Sequence, residues 1–283
     1  MLAATLLALA AAALHAGWNL IVKTSGDREL AAWGQFVAGG IIFMPFVVVV
    51  GLPPGPAWPY LVGSALVHLV YVEGLVRAYH HGDFSFAYPI ARGGGALAAA
   101  LLGAMVLDDT LSIAAWVALA VVAGGLISLV RPGASRASVG WALLTAAVIG
   151  GYTVIDAAGA RHAGSQVSQR FAYGVTLTIT TAVALCIVGL AKRRGGAFVR
   201  MVVQQWPLVL LAGFCLTSAY SLVLVAVSID GIDVGYVATL RESSVVIGAL
   251  AGWLFLHEQL GRERLLASVV VLAGMIGLVT IGG

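Results

Sequence analysis

Ten stretches of this chain are apolar over about 20 residues each, and nothing between them is long enough to fold as a soluble unit. An α-helix rises about 1.5 Å per residue, so about 20 apolar residues cross the roughly 30 Å hydrocarbon core of a bilayer. The stretches run Leu2–Val22, Ala31–Gly51, Trp58–Tyr79, Phe84–Leu107, Ser112–Val130, Val139–Ala158, Phe171–Leu190, Trp206–Ser228, Asp233–Leu256 and Glu263–Ile281. The connections carry turn chemistry: Gly26-Asp27, Pro53-Pro54-Gly55-Pro56, Pro132-Gly133 and Gly195-Gly196. This pattern predicts an all-α integral membrane protein with ten transmembrane helices, multi-pass in the cell (inner or plasma) membrane.

Composition excludes the other classes. Apolar residues make up 61% of the 283 and charged residues 10%, against roughly 25% charged in a soluble domain. Mean hydropathy is +1.02. A soluble enzyme and a disordered chain are both excluded. Cys186 and Cys215 sit in apolar runs with no CxxC or His/Cys cluster, which argues against a disulfide framework or a structural zinc. The net charge of +3 is spread over short loops, so nucleic acid is not an expected partner. No Lys or Arg precedes Leu2, so the first stretch reads as a retained helix, with Ala10 to Ala13 as the small residues a cleaved signal peptide would use.

The chain carries a duplication. At an offset of 149, Gly82 to Val130 aligns without gaps on Gly231 to Val279, with 14 of 49 positions identical; chance in so biased a composition gives about five. Arg92 falls on Arg241, Gly125 on Gly274, and Asp109 on the acidic Glu258. Tyr71 meets Tyr220 at the same offset, and Gly17-Trp18 meets Gly151-Tyr152 at 134. The halves are residues 1–133 and 134–283, each with five spans. An odd number of crossings makes the second half enter from the opposite face, giving an inverted repeat.

Two five-helix halves, each closing with an acid-Leu turn and a Gly-rich last helix, resemble the EamA-type members of the drug/metabolite transporter superfamily. The residues are Asp109-Thr110-Leu111 with Gly124-Gly125, and Glu258-Gln259-Leu260 with Gly274 and Gly277. The opening Leu14-His15-Ala16-Gly17-Trp18-Asn19 is similar to the first helix of a subgroup. The proline that many members carry thirteen residues before each acid is Ala96 and Val245 here. A kink is therefore expected from Pro89 and Gly93-Gly94-Gly95 in the fourth helix, and the ninth has no comparable breaker. The resemblance implies transport, with export of amino acids or related metabolites as the leading case.

Odd-numbered connections hold eleven Lys and Arg residues, and even-numbered ones hold only Arg161 and Arg170. The positive-inside rule then places odd connections in the cytoplasm and both termini outside, whereas the resemblance implies termini inside.

Ionisable groups within spans are costly, so each requires a reason. His15 and Asn19 share a face with Trp18 beside them, either as a helix contact or as a substrate face. Glu73 and Arg77 are spaced for an intrahelical ion pair, and His68, Tyr71 and Tyr79 trace a neighbouring stripe. Tyr152 and Asp156 share a face, the acid near the helix end and within reach of Arg161. Tyr220 follows Thr217 and Ser218, hydroxyls that can satisfy backbone carbonyls. Arg241-Glu242-Ser243-Ser244 interrupts the ninth span and is the most informative stretch. On a regular helix, Glu242 points about 100° away from Arg241, an awkward pairing. Candidate substrate contacts are His15, Trp18, Asn19, Tyr79, Arg92, Tyr152, Tyr220, Arg241 and Ser244; candidate proton carriers are Glu73, Asp156 and Glu242.

The sequence favours a secondary-active transporter of small polar metabolites, such as amino acids or related anionic or zwitterionic compounds, working by alternating access. It contains no GxxxxGK[ST] for ATP, no HExxH and no GxSxG, and implies no cofactor, metal or catalytic residue. The alternative is an integral-membrane enzyme or a channel. Expected partners are a small-molecule substrate and the lipid bilayer, with the chain a monomer or homodimer.

Overall fold

The structure, a computed structural model, describes residues 1–106, 112–130, 135–227, 237, 240–259 and 261–281. These residues form α1 (Leu2–Thr24), α2 (Arg28–Val50), α3 (Trp58–His81, entered through a 3-10 turn), α4 (Phe84–Val106) and α5 (Ile113–Leu129). The second half supplies α6 (Arg136–Ala163), α7 (Val167–Ala191), α8 (Gly195–Val227), α9 (Ser244–Phe255) and α10 (Gly261–Ile281). Among the described residues there are no strands, and each apolar run overlaps one of these helices. Among the described residues, seven helices are long and apolar enough to cross a membrane, α1, α2, α3, α6, α7, α8 and α10, and α5 and α9 are shorter apolar helices. The turn Asp109-Thr110-Leu111, Leu260 and Pro132-Gly133 lie outside the described residues.

Burial is arranged for lipid. Val49, Ile113 and Phe255 expose 85%, 85% and 71% of their surfaces, whereas Asn19, Gln35, Thr145 and Glu242 are buried. Apolar side chains face the hydrocarbon, whereas polar groups lie inside, where Asn19 accepts from Tyr79, Glu242 pairs with Arg92 and Thr145 bonds the Trp141 carbonyl of its own helix.

The helices pair across the halves. α1 packs on α8 and α9, and α6 packs on α3 and α4; α5 lies against α10, α2 against α7, and α4 against α9. Where α5 meets α10, a Cβ on Gly125 would come within 2.7 Å of Val271, and one on Gly274 within 2.7 Å of Val122. Small residues here permit backbones to approach.

The helix α4 is unbroken through Pro89 and Gly93-Gly94-Gly95. Cβ atoms on those glycines would strike Val271, Ala146 and Ile149 at 2.7, 2.8 and 2.5 Å, so the run is a close-approach surface for α10 and α6. The expectation that the ninth stretch holds no breaker is corrected, because a break falls before α9, where Glu242 and Ser243 leave the helix. The Ser243 hydroxyl and its N–H both turn back to the Leu240 carbonyl, at 2.6 and 3.1 Å. A serine that bonds its own backbone offers an alternative to the helical ladder. The segment read as a connection after Gly195-Gly196 is also helical; α8 begins there and is interrupted at Gln205 (φ −125°, ψ 23°), two residues before Pro207.

Charged connections gather on one face. Arg194, between α7 and α8, binds Asp27 and Glu29, and Lys192 reaches Glu29 at 2.7 Å. Lys23 donates to the carbonyls of Tyr79 and Gly82 at 2.8 and 2.6 Å. Glu258 accepts the N–H groups of Phe84 and Ser85, and Arg264 donates to Asp83 at 2.6 Å. The acid of the second acid-Leu turn thus caps the first turn of α4, where unpaired N–H groups and the helix dipole favour a carboxylate.

Candidate functional site

A cavity of about 240 Å³ opens between the helices, walled by α1, α2, α3, α4, α6, α7, α8 and the residues just before α9. Its cationic wall is Arg92 on α4 together with Arg241. Arg92 Nη2 donates to both oxygens of Glu242 at 2.8 and 2.9 Å, and Arg241 Nη2 reaches Glu242 Oε1 at 3.0 Å. The pairing of adjacent residues 241 and 242 corrects the expectation that it would be awkward. The 100° separation applies to a continuous helix, and the backbone departs from one at Glu242. One carboxylate against two guanidiniums leaves the group with a net positive charge. Arg241 keeps 37% of its side chain accessible against 11% for Arg92.

Facing this wall is an aromatic and acidic one. His68 stacks on Tyr152 with centroids 4.2 Å apart, and Tyr71 meets both rings edge-on at 5.7 and 5.5 Å. Asp156, one helical turn beyond Tyr152, lines the same cavity. α6 continues seven residues past it to Ala163, so Asp156 is not at the helix end. Among the described residues no ion pair reaches it from Arg161; its polar neighbour is the Ser64 hydroxyl. The expected rim carboxylate is an interior one, because α6 runs past the end of the apolar stretch.

Among the described residues, four buried polar atoms of cavity-lining side chains have no hydrogen-bond partner: Trp18 Nε1, Arg92 Nε, Asp156 Oδ1 and Thr217 Oγ1. Buried polar groups in folded proteins are almost always satisfied, so such a concentration at one cavity requires an explanation.

A model of the EamA-like transporter family matches residues 136–280, just over half of the chain. The chain belongs to the EamA-like transporter family. This is part of the drug/metabolite transporter superfamily, and the chain is accordingly a multi-pass membrane protein of the transporter type. No curated protein matches it. A solved structure described as "Crystal structure of protein" superposes with a TM-score of 0.64 at 18% identity, covering 98% of this chain and 96% of the other. At that identity the likeness speaks for the fold alone.

In this EamA-like chain the cavity collects seven of the twelve candidate substrate contacts and proton carriers, His15, Trp18, Arg92, Tyr152, Asp156, Tyr220 and Arg241, together with His68 and Tyr71 of the neighbouring stripe. His15 sits edge-on to Trp18 at 5.1 Å, and the Tyr220 ring packs where a Cβ on Gly174 would be. Five lie elsewhere. Asn19 and Tyr79 bond each other in the interior at 2.6 Å. Ser244 is buried beside Tyr88 at the start of α9. Glu73 pairs with Arg77 at 2.5 Å and lies 3.8 Å from Lys192 on the charged face. Glu242 holds the two arginines together and lines an adjoining cavity. Sequence reasoning missed Phe36, Thr153 and Thr178 as lining residues and assigned Thr217 to backbone bonding. A phenylalanine on a membrane helix carries no signal of which way it faces. The Thr217 hydroxyl lies unpaired, whereas Ser221, one turn on, donates to the Thr217 carbonyl at 2.8 Å.

Proposed function

We propose that this protein is a secondary carrier of a small zwitterionic metabolite of the amino-acid type, working by alternating access in the cell membrane, with export as the direction its resemblance implies. The observation that carries this reading is the presence, in one cavity, of an arginine wall of net positive charge and of Asp156, a carboxylate with no cationic partner among the described residues. A substrate carboxylate seats on Arg241, which is the more accessible guanidinium and offers planar donors. An ammonium group turns to Asp156, beside the faces of Tyr152 and Tyr71. Each charge then satisfies a group that is otherwise costly to bury.

The mechanism rests on ten crossings arranged as inverted halves, 1–133 and 134–283. Supporting it, the helix pairing keeps its form when each helix is exchanged for the one five places on: α1 with α8 and α9 becomes α6 with α3 and α4. Gly125 on Val271 and Gly274 on Val122 are the same contact under the 149 offset. Two such halves rocking about a shared midplane site expose it to each side in turn. Asp156, free of any cationic partner among the described residues, is the carboxylate suited to carry either a proton or the substrate cation, which makes proton exchange the coupling.

The test is counterflow in proteoliposomes of the purified protein, loaded with unlabelled alanine, leucine or phenylalanine and given labelled substrate outside. Saturable, trans-stimulated uptake supports the carrier; unsaturable flux points to a channel, and chemical conversion to an enzyme.

A further inference from the structure

A second cavity of about 210 Å³ adjoins the first and shares Arg92, Thr153 and Arg241 with it. Beyond those residues and Glu242 its walls are apolar, formed by Ala96 and Ala99 on α4, Ile149 on α6 and Met275 and Leu278 on α10. The charged residues of the second cavity are Glu242 and the two arginines it shares with the first, and the rest of its lining, which includes the exposed Val279, is apolar apart from Thr153. An atom bonded to a carboxylate that sits on Arg241 is therefore next to a residue that lines both cavities. We propose that the second cavity is the subsite for the substrate's side chain, and that the transported class is zwitterions bearing an aliphatic or aromatic group rather than small hydrophilic ones. This rests on the carrier reading above.

Size and chemistry agree with such an occupant. An apolar cavity of about 150 Å³ holds benzene and stays dry when empty, so this one admits a leucine-like or phenylalanine-like side chain. Water has little to bond there apart from the shared residues and Glu242, so an apolar group entering displaces nothing that binds well. Ala96 and Ala99 of α4 line the cavity, so a larger side chain at either fills part of it. Leu278 lines it from α10, so its truncation enlarges the space. Such pockets discriminate by size, with one methylene worth about 10- to 200-fold in specificity.

The experiment measures apparent KM for alanine and for phenylalanine by counterflow in wild type, Ala99→Leu and Leu278→Ala. Filling the pocket should raise the phenylalanine-to-alanine KM ratio at least about tenfold, and enlarging it should lower that ratio. The opposing directions guard against a variant that merely folds poorly, because misfolding removes both fluxes and does not reorder substrates. An unchanged ratio in both variants, with wild-type counterflow intact, overturns the subsite and leaves the carrier standing. Wild-type protein that moves neither zwitterion overturns both.

Discussion

Tyr79 on α3 donates its hydroxyl to Asn19 Oδ1 on α1 at 2.6 Å, and both side chains are buried. Asn19 in turn gives its amide to the His15 carbonyl at 2.9 Å, one turn back towards the cavity. The pair closes its own hydrogen-bonding requirements and holds α1 to α3 behind the residues that line the site. Tyr79→Phe removes the donor and leaves a buried amide oxygen unmet, a cost of about 1–3 kcal/mol. The expected result is a lower unfolding temperature in detergent with unchanged substrate KM. A raised KM at normal stability would return Tyr79 to the substrate site.

Glu242 is the only acid reaching Arg92 and Arg241 among the described residues, and all three are drawn into one group. Glu242→Gln leaves two guanidiniums facing each other without an anion. Removing one partner of a buried ionic group costs about 3–5 kcal/mol, whereas replacing partners together costs far less. Arg92→Met with Glu242→Met leaves one guanidinium, the more accessible Arg241, in place of two facing each other, and should therefore be more stable than Glu242→Met alone. A double-mutant cycle over Arg92→Met and Glu242→Met, followed by thermal unfolding, measures the coupling; additive effects would mean that the contact contributes nothing.

The helices were legible in the sequence because crossing a bilayer needs length and apolarity, and both are read directly from residues. Their facing was not. On α5, Ile113 exposes 85% and Leu119 3% of its surface, yet both are apolar, so the amphipathic signal that orients a helix in water vanishes in lipid. The repeat offset did draw attention to Arg92 and Arg241 as a pair. It could not supply the turn at Glu242 and Ser243, because that turn depends on a serine folding back on Leu240 in one half, while the aligned residues in α4 are Gly93 and Gly94. The roles of Asp156 and Glu73 separated only when helix ends were known. α6 carries Asp156 inward, and α3 leaves Glu73 among the charges of the loop face.

Asp156 and Glu73 should respond differently to amide substitution. If Asp156 exchanges a proton for the substrate cation, Asp156→Asn abolishes accumulation driven by a pH gradient while substrate exchange continues, weakened in affinity. Glu73→Gln breaks an exposed ion pair, worth about 0–1 kcal/mol, and should leave accumulation intact. Internal pH recorded with a trapped dye during substrate addition checks the first claim: an alkaline or acid shift that persists in Asp156→Asn places the coupling elsewhere.

Glu258 bonds the N–H groups of Phe84 and Ser85 with its carboxylate almost wholly enclosed. Alanine there uncaps α4, a loss of about 0.5–2 kcal/mol, and releases the α3–α4 connection that Lys23 and Arg264 also hold. Hydrogen exchange should rise in residues 82–87 of Glu258→Ala and remain low in Glu258→Gln, which keeps an acceptor. Equal exchange in both variants would mean that the charge matters and the cap does not.

The anion end of the site makes the sharpest demand on one residue. Guanidinium stays charged at any relevant pH, so Arg241 must always face an acid, water or an anionic ligand. Glu242 occupies its Nε and Nη2 side at 3.3 and 3.0 Å, yet 37% of the side chain stays accessible, and among the described residues lining the first cavity the one acid is Asp156. A carboxylate arriving there can be gripped by the planar fork. Lysine keeps the charge and loses the fork, so Arg241→Lys should raise KM at normal expression, and Arg241→Gln should bring transport close to zero. The charge of Glu242 is balanced by Arg92 in both variants, so the fold should survive. Unfolding temperature and substrate KM measured on the same preparations separate the outcomes. Stable protein with altered KM places the substrate on Arg241, loss of folded protein in both variants makes it a structural ion pair, and unchanged kinetics in stable protein removes it from the site.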